Sequence, residues 1–445
     1  MNRRTIALIL ALTVTLALGA SAATAESAAP KAAETDPATA ETAAPDTKRE
    51  GTVLAAAESA AADAETAAPD AAGTLSFGNI GPRMIANYYP LLALQESIDD
   101  VESHDYEWQL ENLRRRINEA SAGQWGMYSL YSAMGQGMLG SMMLQSTQSG
   151  VDTLRRQFDD VQDGTAQKND ADKLREYRSA QNAAVMGGES LYIQILGYQA
   201  QDAAATRGLA KLDRAIRELE LRRELGQVSE LTVSQLRNTR TQTASQQQTL
   251  RTGIDAMLLT LKGMVGAELG EPLALEALPK VTAEQLEAMD LDADLARAKE
   301  NSYALYDAKK QIDDFRKGTY KDVTGQLGTS DKIFEVSQVK HALKALQLNY
   351  EDKAQSFELN FRTLYAQVGD AAQTLSAKRA ALAQQEKEYA ASALKFEQGS
   401  ISANALADAK DALADAKDAV ADAERELFSV YRSYTWAVDY GILNG

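Results

Sequence analysis

Residues 405–425 read ALADAKD, ALADAKD, AVADAER, a seven-residue unit written three times without a gap. Leu406, Leu413, Val420 and Leu427 fall seven apart, and Ala409, Ala416, Ala423 and Val430 follow each of them by three. Such an a/d seam commits the segment to a helix that packs along its whole length on another helix. A strict seven-residue period winds the pair left-handedly, and alanine in alternate layers lets the partner come close. Any fold for this chain must therefore supply a long helical neighbour.

Other stretches carry the same spacing. From about 332 to 397, Val336, Val339, Leu343, Leu346, Tyr350, Phe357, Leu364, Ala371, Leu375, Leu382 and Tyr389 recur in steps of three and four. At about 1.5 Å per residue this helix spans on the order of 100 Å, too long for a compact globular core. Two further helices are expected over about 151–225 and 229–265. In the first, Leu209, Leu212, Ile216 and Leu219 keep the period and Gly187-Gly188 marks a candidate break; in the second, Leu236, Thr243, Leu250, Ile254, Met257 and Leu261 do so. Gly266, Gly270 and Pro272 close that segment. Shorter helices are expected over about 84–120, with Arg114, Arg115 and Arg116 on a solvated face, and over 291–316; a crossing segment runs over 271–290.

The halves are copies. Aligning Gly226 with Gly399 sets Gly-Gln-Val-Ser (226–229) over Gly-Ser-Ile-Ser (399–402), and Val233 over Leu406, at a separation of 173 residues. Each hairpin turns with the pattern G-x-[VI]-S. Glycine supplies the left-handed backbone that ends a helix, the β-branched residue covers the bend, and serine accepts a hydrogen bond from the next helix's free N–H groups. A duplicated hairpin of this length is a repeat signature.

Charge and composition remove several functions. The chain has no Cys, and its two histidines, His104 and His341, are far apart, so neither a disulfide framework nor a Cys/His metal site is expected. A net charge of -17 argues against nucleic acid, whose phosphates need clustered Lys and Arg. Carboxylates are plentiful, but none pairs with His, Cys or an activated Ser in a recognisable spacing, so an enzyme is not expected and no cofactor is called for. Asp290, Asp292 and Asp294 resemble the start of a calcium loop, yet its sixth position is Leu295 rather than Gly; helix N-terminal charge is the reading that fits.

Residues 1–25 read as a secretory signal: Arg3 and Arg4, an apolar run from Ile6 to Leu18, then small-residue cleavage sites at Ala20-Ser21-Ala22 and Ala23-Thr24-Ala25. Residues 26–75 are rich in Ala, Glu, Asp, Thr and Pro, with ETAAPD at Glu41 and again in the segment 64–70; with almost no large apolar residue, they are expected to be a disordered spacer. The first half then covers 76–270 and the second 271–445. Each carries an insert at the end away from its turn, 121–150 in the first and 317–331 in the second.

The order of segments, the two turns and the final ADAKDALADAKDAVADAE helix ending in Tyr440-Gly441 resemble the TolC family of outer-membrane efflux proteins, over about Met84 to Leu443. The resemblance implies a mainly α fold: long antiparallel coiled-coil hairpins in two homologous halves, three copies of which form a hollow α-barrel across the periplasm under a β-barrel in the outer membrane. It implies a passive duct, a homotrimer serving a periplasmic adaptor (membrane-fusion) protein and an inner-membrane pump in efflux or type I secretion. It places the adaptor contact at Leu225, Gly226, Gln227, Val228 and Ser229 and at Gln398, Gly399, Ser400, Ile401 and Ser402. It also implies an acidic entrance ring, of which Asp408 is one position while the other, three residues earlier, is Ala405.

From the residues alone, Asp408, Asp411, Asp415, Asp418 and Asp422 recur every three or four positions, with Lys410, Lys417 and Arg425 as partial compensation. Both an ordinary solvated face and a lumen-lining stripe accommodate this. The inserts depart from the family pattern. A membrane-crossing strand needs about 9 to 11 residues of alternating character. Segment 121–150 is rich in Met and Gly and does not alternate cleanly, while KGTYKDVTGQLGTS is too short and too polar. A small or missing β-barrel is therefore expected, with the protein at the outer membrane or associated with the envelope. The competing reading is a secreted structural coiled coil that spaces or tethers envelope layers; it shares the heptads, signal and spacer but has no need of a duplicated half with matched turns.

Overall fold

A computed structural model describes residues 70–71, 73–320 and 332–443. The chain divides into two units, Met1–Ala56 and Ala57–Gly445. The first, with the expected signal peptide and most of the expected spacer, lies outside the described residues, as do 321–331 of the second insert.

Within the second unit a two-residue strand, β1 (Thr74–Leu75), leads into helices α1 (Ile80–Asn87) and α2 (Tyr89–Glu102). A hairpin follows, α3 (Tyr106–Ala133) and α4 (Gly137–Gln162), then the long pair α5 (Thr165–Glu224) and α6 (Glu230–Val265). The crossing segment carries β2 (Ala274–Leu275) and α7 (Ala283–Glu287). The second half is α8 (Leu291–Asn301), α9 (Tyr303–Phe315), α10 (Lys332–Glu397) and α11 (Ala403–Tyr440). Among the described residues the fold is helical apart from β1 and β2, which pair in parallel.

The duplication extends into the core. Ile195 and Val368, Ile254 and Leu427, Leu261 and Tyr434, and Val265 and Val438 each lie 173 residues apart, and all are buried. One cluster joins Ile80, Met84 and Leu91 to Tyr192 and Ile195 of α5 and to Leu261 and Val265 of α6. Its counterpart joins Leu295, Ala298 and Leu305 to Phe361 and Val368 of α10 and to Leu427 and Ala437 of α11. Phe428 and Trp436, on the other side of α11, enter the first cluster, so α11 welds the halves together.

A repeated joint went unseen in the sequence. In each half the entering helix breaks at one extended residue, Tyr88 (φ -81°, ψ 111°) between α1 and α2 and Ser302 (φ -69°, ψ 113°) between α8 and α9. The glycine that ends the returning helix lies against that break, Gly266 on Asn87 and Gly441 on Ser302.

In keeping with its lack of alternation, segment 121–150 forms no strands but the tip of the α3–α4 helical hairpin; its six glycines and six serines are outnumbered by fourteen Met, Leu, Ala and Gln, which favour helix. Several other expectations need correcting. The break expected at Gly187-Gly188 falls instead at Asp163-Gly164; α5 runs through Gly188, which makes room for the Met84 thioether of α1. The 291–316 helix is divided at Ser302. The end of the expected spacer belongs to the folded part: the Asp70 carboxylate accepts from the Ser76 backbone (3.1 Å) and from Ser76 Oγ and Asn79 Nδ2 (both 2.7 Å), and Leu75 is fully buried. Asp290 does cap a helix, accepting from the N–H groups of Asp292 and Ala293, both at 3.0 Å.

Two buried carboxylates at the start of α5 tie this end together. Asp170 receives His104 Nδ1 (2.7 Å), the Tyr106 hydroxyl (3.0 Å) and Lys173 Nζ (2.9 Å). Asp172 receives Lys310 Nζ (2.8 Å) and the Tyr306 hydroxyl from α9, in the other half. Burial pushes both carboxyls up, but the hydrogen bonds outweigh it, led by the lysine in each case, and hold both below the ordinary value of 3.8. Because the folded value is the lower, their stabilisation is present above 3.8 and lost as pH falls through the depressed value. Urea midpoints of the wild type are therefore expected to drop steeply on acidification below about pH 4, and Asp172→Asn should flatten that limb. Parallel acid profiles for the two proteins would refute the assignment.

Candidate functional site

The two G-x-[VI]-S turns have the same hydrogen-bond pattern. At the end of α5, Gly226 (φ +70°) donates to the Arg223 carbonyl and Gln227 to that of Arg222, both at 2.8 Å. At the end of α10, Gly399 (φ +71°) donates to Phe396 (2.9 Å) and Ser400 to Lys395 (2.8 Å). Both are Schellman motifs, in which the left-handed residue turns two otherwise free carbonyls inward. The following serines then cap the next helices: Ser229 Oγ accepts from Thr232 N and Ser402 Oγ from Ala405 N, both at 3.2 Å. Val228 and Ile401 are half-buried over the bends, while Leu225, Gly226, Gln227, Ser229, Gln398, Gly399, Ser400 and Ser402 are exposed.

Long-range contacts bring the turns to one end. Contacts between α5 and α11 run in antiparallel register: Glu189 with Arg432, Arg207 with Asp418, Arg214 with Asp411, and Glu218 with Asn404 (3.2 Å). Arg207 and Arg214 are seven apart, as are Asp411 and Asp418, so complementary heptads meet across the two halves. Sequence reading saw the aspartates and missed the arginines, although the matched period was there to be found. Asp411 thus lies against Arg214, which Asp408 also approaches at 3.9 Å; Asp408 and Asp415 are exposed.

Each long helix has its hairpin partner as well. Arg240 pairs with Asp213 (2.7 Å) and Arg251 with Asp202 (2.8 Å) between α6 and α5, and Arg379 with Glu424 (2.8 Å) between α10 and α11. Among the described residues α6 and α10 form no packed interface with each other. The four long helices therefore lie in an open row, in the order α6, α5, α11, α10, with both turns at one end. Exposed leucines stand on the helices at its edges, Leu231 and Leu259 on α6 and Leu348, Leu359 and Leu394 on α10. Near the turns Leu221, Leu225 and Phe396 are also exposed.

Among the described residues no group of three or more His, Cys, Asp or Glu side chains is placed to hold a metal ion, and no helix is long and apolar enough to cross a membrane.

No protein-family model matches the chain, and no curated protein matches it. Solved structures similar to it include outer-membrane proteins. The outer membrane protein VceC of Vibrio cholerae is 11% identical with a TM-score of 0.45, over 82% of this chain and 96% of that one. The outer-membrane channel OprN is 16% identical with a TM-score of 0.42, over 64% and 72%. The Campylobacter jejuni CmeC outer membrane channel is 13% identical with a TM-score of 0.40, over 62% and 67%. At these identities and TM-scores, function has to be argued from the chain's own helices and turns.

Proposed function

We propose that this chain is one subunit of a TolC-like exit duct, a passive trimeric channel that carries substrates away from a pump and adaptor across the cell envelope. The open row of four long helices carries this reading. A solid coiled coil closes on itself, and α6 would then pack on α10; here both edges of the row are left uncovered. Three rows joined edge to edge close into a tube, and the leucines on α6 and α10 provide the apolar side chains for those seams. At about 1.5 Å per residue the 60 residues of α5 and 66 of α10 give such a tube a wall about 90 to 100 Å long.

In this assignment the turns at 225–229 and 398–402 are the adaptor-docking end, and the exposed Asp408 and Asp415, about two and about four helical turns inside it, contribute acidic charge at the entrance. The Schellman bonds and the serine caps satisfy two carbonyls and one N–H of each turn from within, so exposed side chains such as Leu225 and Gln398 are left for docking by a partner's helical hairpins. The protein sits at the outer membrane or an outer envelope layer, after export directed by residues 1–25.

Electron microscopy of the purified protein tests the reading. End views are expected to show a three-fold ring with a central hole. Solid rods or monomers at all concentrations would instead select the structural coiled coil. Docking has a separate test: Leu225→Asp with Gln398→Lys, both at exposed positions, should abolish cross-linking to the adaptor and export in cells while leaving the ring and its melting temperature unchanged. Full export by that double variant would remove the turns from the contact.

A further inference from the structure

We propose that the α3–α4 hairpin is a membrane-docking element that inserts its tip into one leaflet of an anionic lipid bilayer. From Ala120 to Val151 there is no charged residue, in a chain that is 24% charged. In this segment Trp125, Met134 and Met138 are 63%, 65% and 81% exposed, and Leu130, Leu139 and Met142 are exposed too. Met134 and Met138 flank the turn itself, the point farthest along the hairpin. Packing of one hairpin against another copy would cover its flanks and leave this tip in water. Insertion into lipid is the arrangement that covers the tip.

Depth and charge agree with this occupant. Ala120 to Ala133 and Gly137 to Val151 are arms of about 20 Å each, too short for a hydrocarbon core of about 30 Å but long enough to pass the headgroups and enter one leaflet. At the foot of the uncharged arms stand Arg114, Arg115 and Arg116 on α3 and Arg155 and Arg156 on α4, all exposed. Between Arg114 and Arg156 these five arginines face only two carboxylates, Glu119 and Asp152, although the whole chain carries a net charge of -17. The positive collar thus lies at the depth that lipid phosphates would occupy, with the acidic Glu111, Asp159 and Asp160 farther from the tip. Guanidinium groups bind phosphate in a bidentate manner, and an indole such as that of Trp125 prefers the headgroup boundary. Gln124 and Thr147 join the arms by a hydrogen bond of 2.9 Å, so the tip is presented as a preformed wedge.

The proposal does not depend on whether the rows close into a duct. Its test is flotation of the exported full-length protein with phosphatidylglycerol-containing vesicles, compared with pure phosphatidylcholine vesicles, together with quenching of tryptophan fluorescence by brominated acyl chains. The wild type should float with the anionic vesicles and be quenched, and Trp125→Phe should remove the quenching. Met134→Asp with Met138→Asp, both at exposed positions, should weaken binding by on the order of 100-fold with an unchanged melting curve. Replacing Arg114, Arg115 and Arg116 by Ser should cost a similar factor on anionic vesicles and little on neutral ones. Absence of flotation, or flotation indifferent to the tip aspartates, would overturn the proposal. So would a tip variant that changes the oligomeric state in vesicle-free solution, which would assign the hairpin to contacts between copies.

Discussion

Arg432→Ala is expected to lower the unfolding free energy by about 3 to 5 kcal/mol, because it strands a buried carboxylate. Arg432 clasps Glu189 with two hydrogen bonds of 2.7 Å, and Trp436 Nε1 donates to the same Glu189 at 2.7 Å. The Glu189 side chain is only 7% exposed, whereas that of Arg432 keeps 36%. The asymmetry sets the order of effects. Without the arginine, Glu189 retains one donor and almost no water; without the glutamate, the guanidinium can rehydrate at its exposed edge. Glu189→Ala should accordingly cost about 1 to 3 kcal/mol, mainly for the unpaired indole N–H. The double variant should cost clearly less than the two losses added, since each single change includes the penalty of abandoning the other group. Urea unfolding of the three variants measures this, and additive losses would show that the pair is not coupled. As the clasp joins α5 to α11, its loss should also loosen the row at the end away from the turns.

Gly441→Ala is the second large effect expected, about 2 to 5 kcal/mol. Part of it is left-handed backbone, which costs a residue with a Cβ about 1 to 2 kcal/mol. At φ +64°, Gly441 is in that region, as the C-cap of α11. The remainder is collision: a Cβ there would lie 2.3 Å from both N and Cα of Ser302 and 2.7 Å from the Asn301 carbonyl carbon. These are backbone atoms of the α8–α9 joint, and overpacking against atoms that cannot rotate away costs about 1 to 3 kcal/mol. Asn301 tightens the same joint by donating to the carbonyls of Val438 and Asp439, both at 3.0 Å. Gly399→Ala is the control. Its φ is +71°, but no atom lies within 4 Å of the added Cβ, so only the conformational cost of about 1 to 2 kcal/mol applies. Thermal unfolding that ranks the two variants equally would remove the joint from the account.

Much of this molecule could be read one helical turn at a time. The heptads of α11, the 3-4 seam of α10, the serine caps at Ser229 and Ser402 and the left-handed Gly226 and Gly399 depend on contacts within a few residues, so their signals sit in short windows of sequence. The Met- and Gly-rich segment 121–150 was harder. Lack of alternation argued against strands there, but only the structure showed a helical hairpin with a groove of about 660 Å³ between its arms, lined by Gly123, Met127, Met143 and Leu144 among others. The aspartates of α11 were visible as a stripe, yet that Asp411 and Asp418 face Arg214 and Arg207 of α5 is seen only in the folded chain.

By itself, then, the sequence determined the helices, their seams, their paired turns and the duplication, because period and capping are local and repeat in register. Only the tertiary structure decided that α5 and α11 lie antiparallel at the centre of an open row, that Glu189 meets Arg432, and that Gly441 seats on Ser302. Those contacts join residues more than a hundred positions apart, and each is selected by which side chains fill the space between helices, a choice that no single helix can encode.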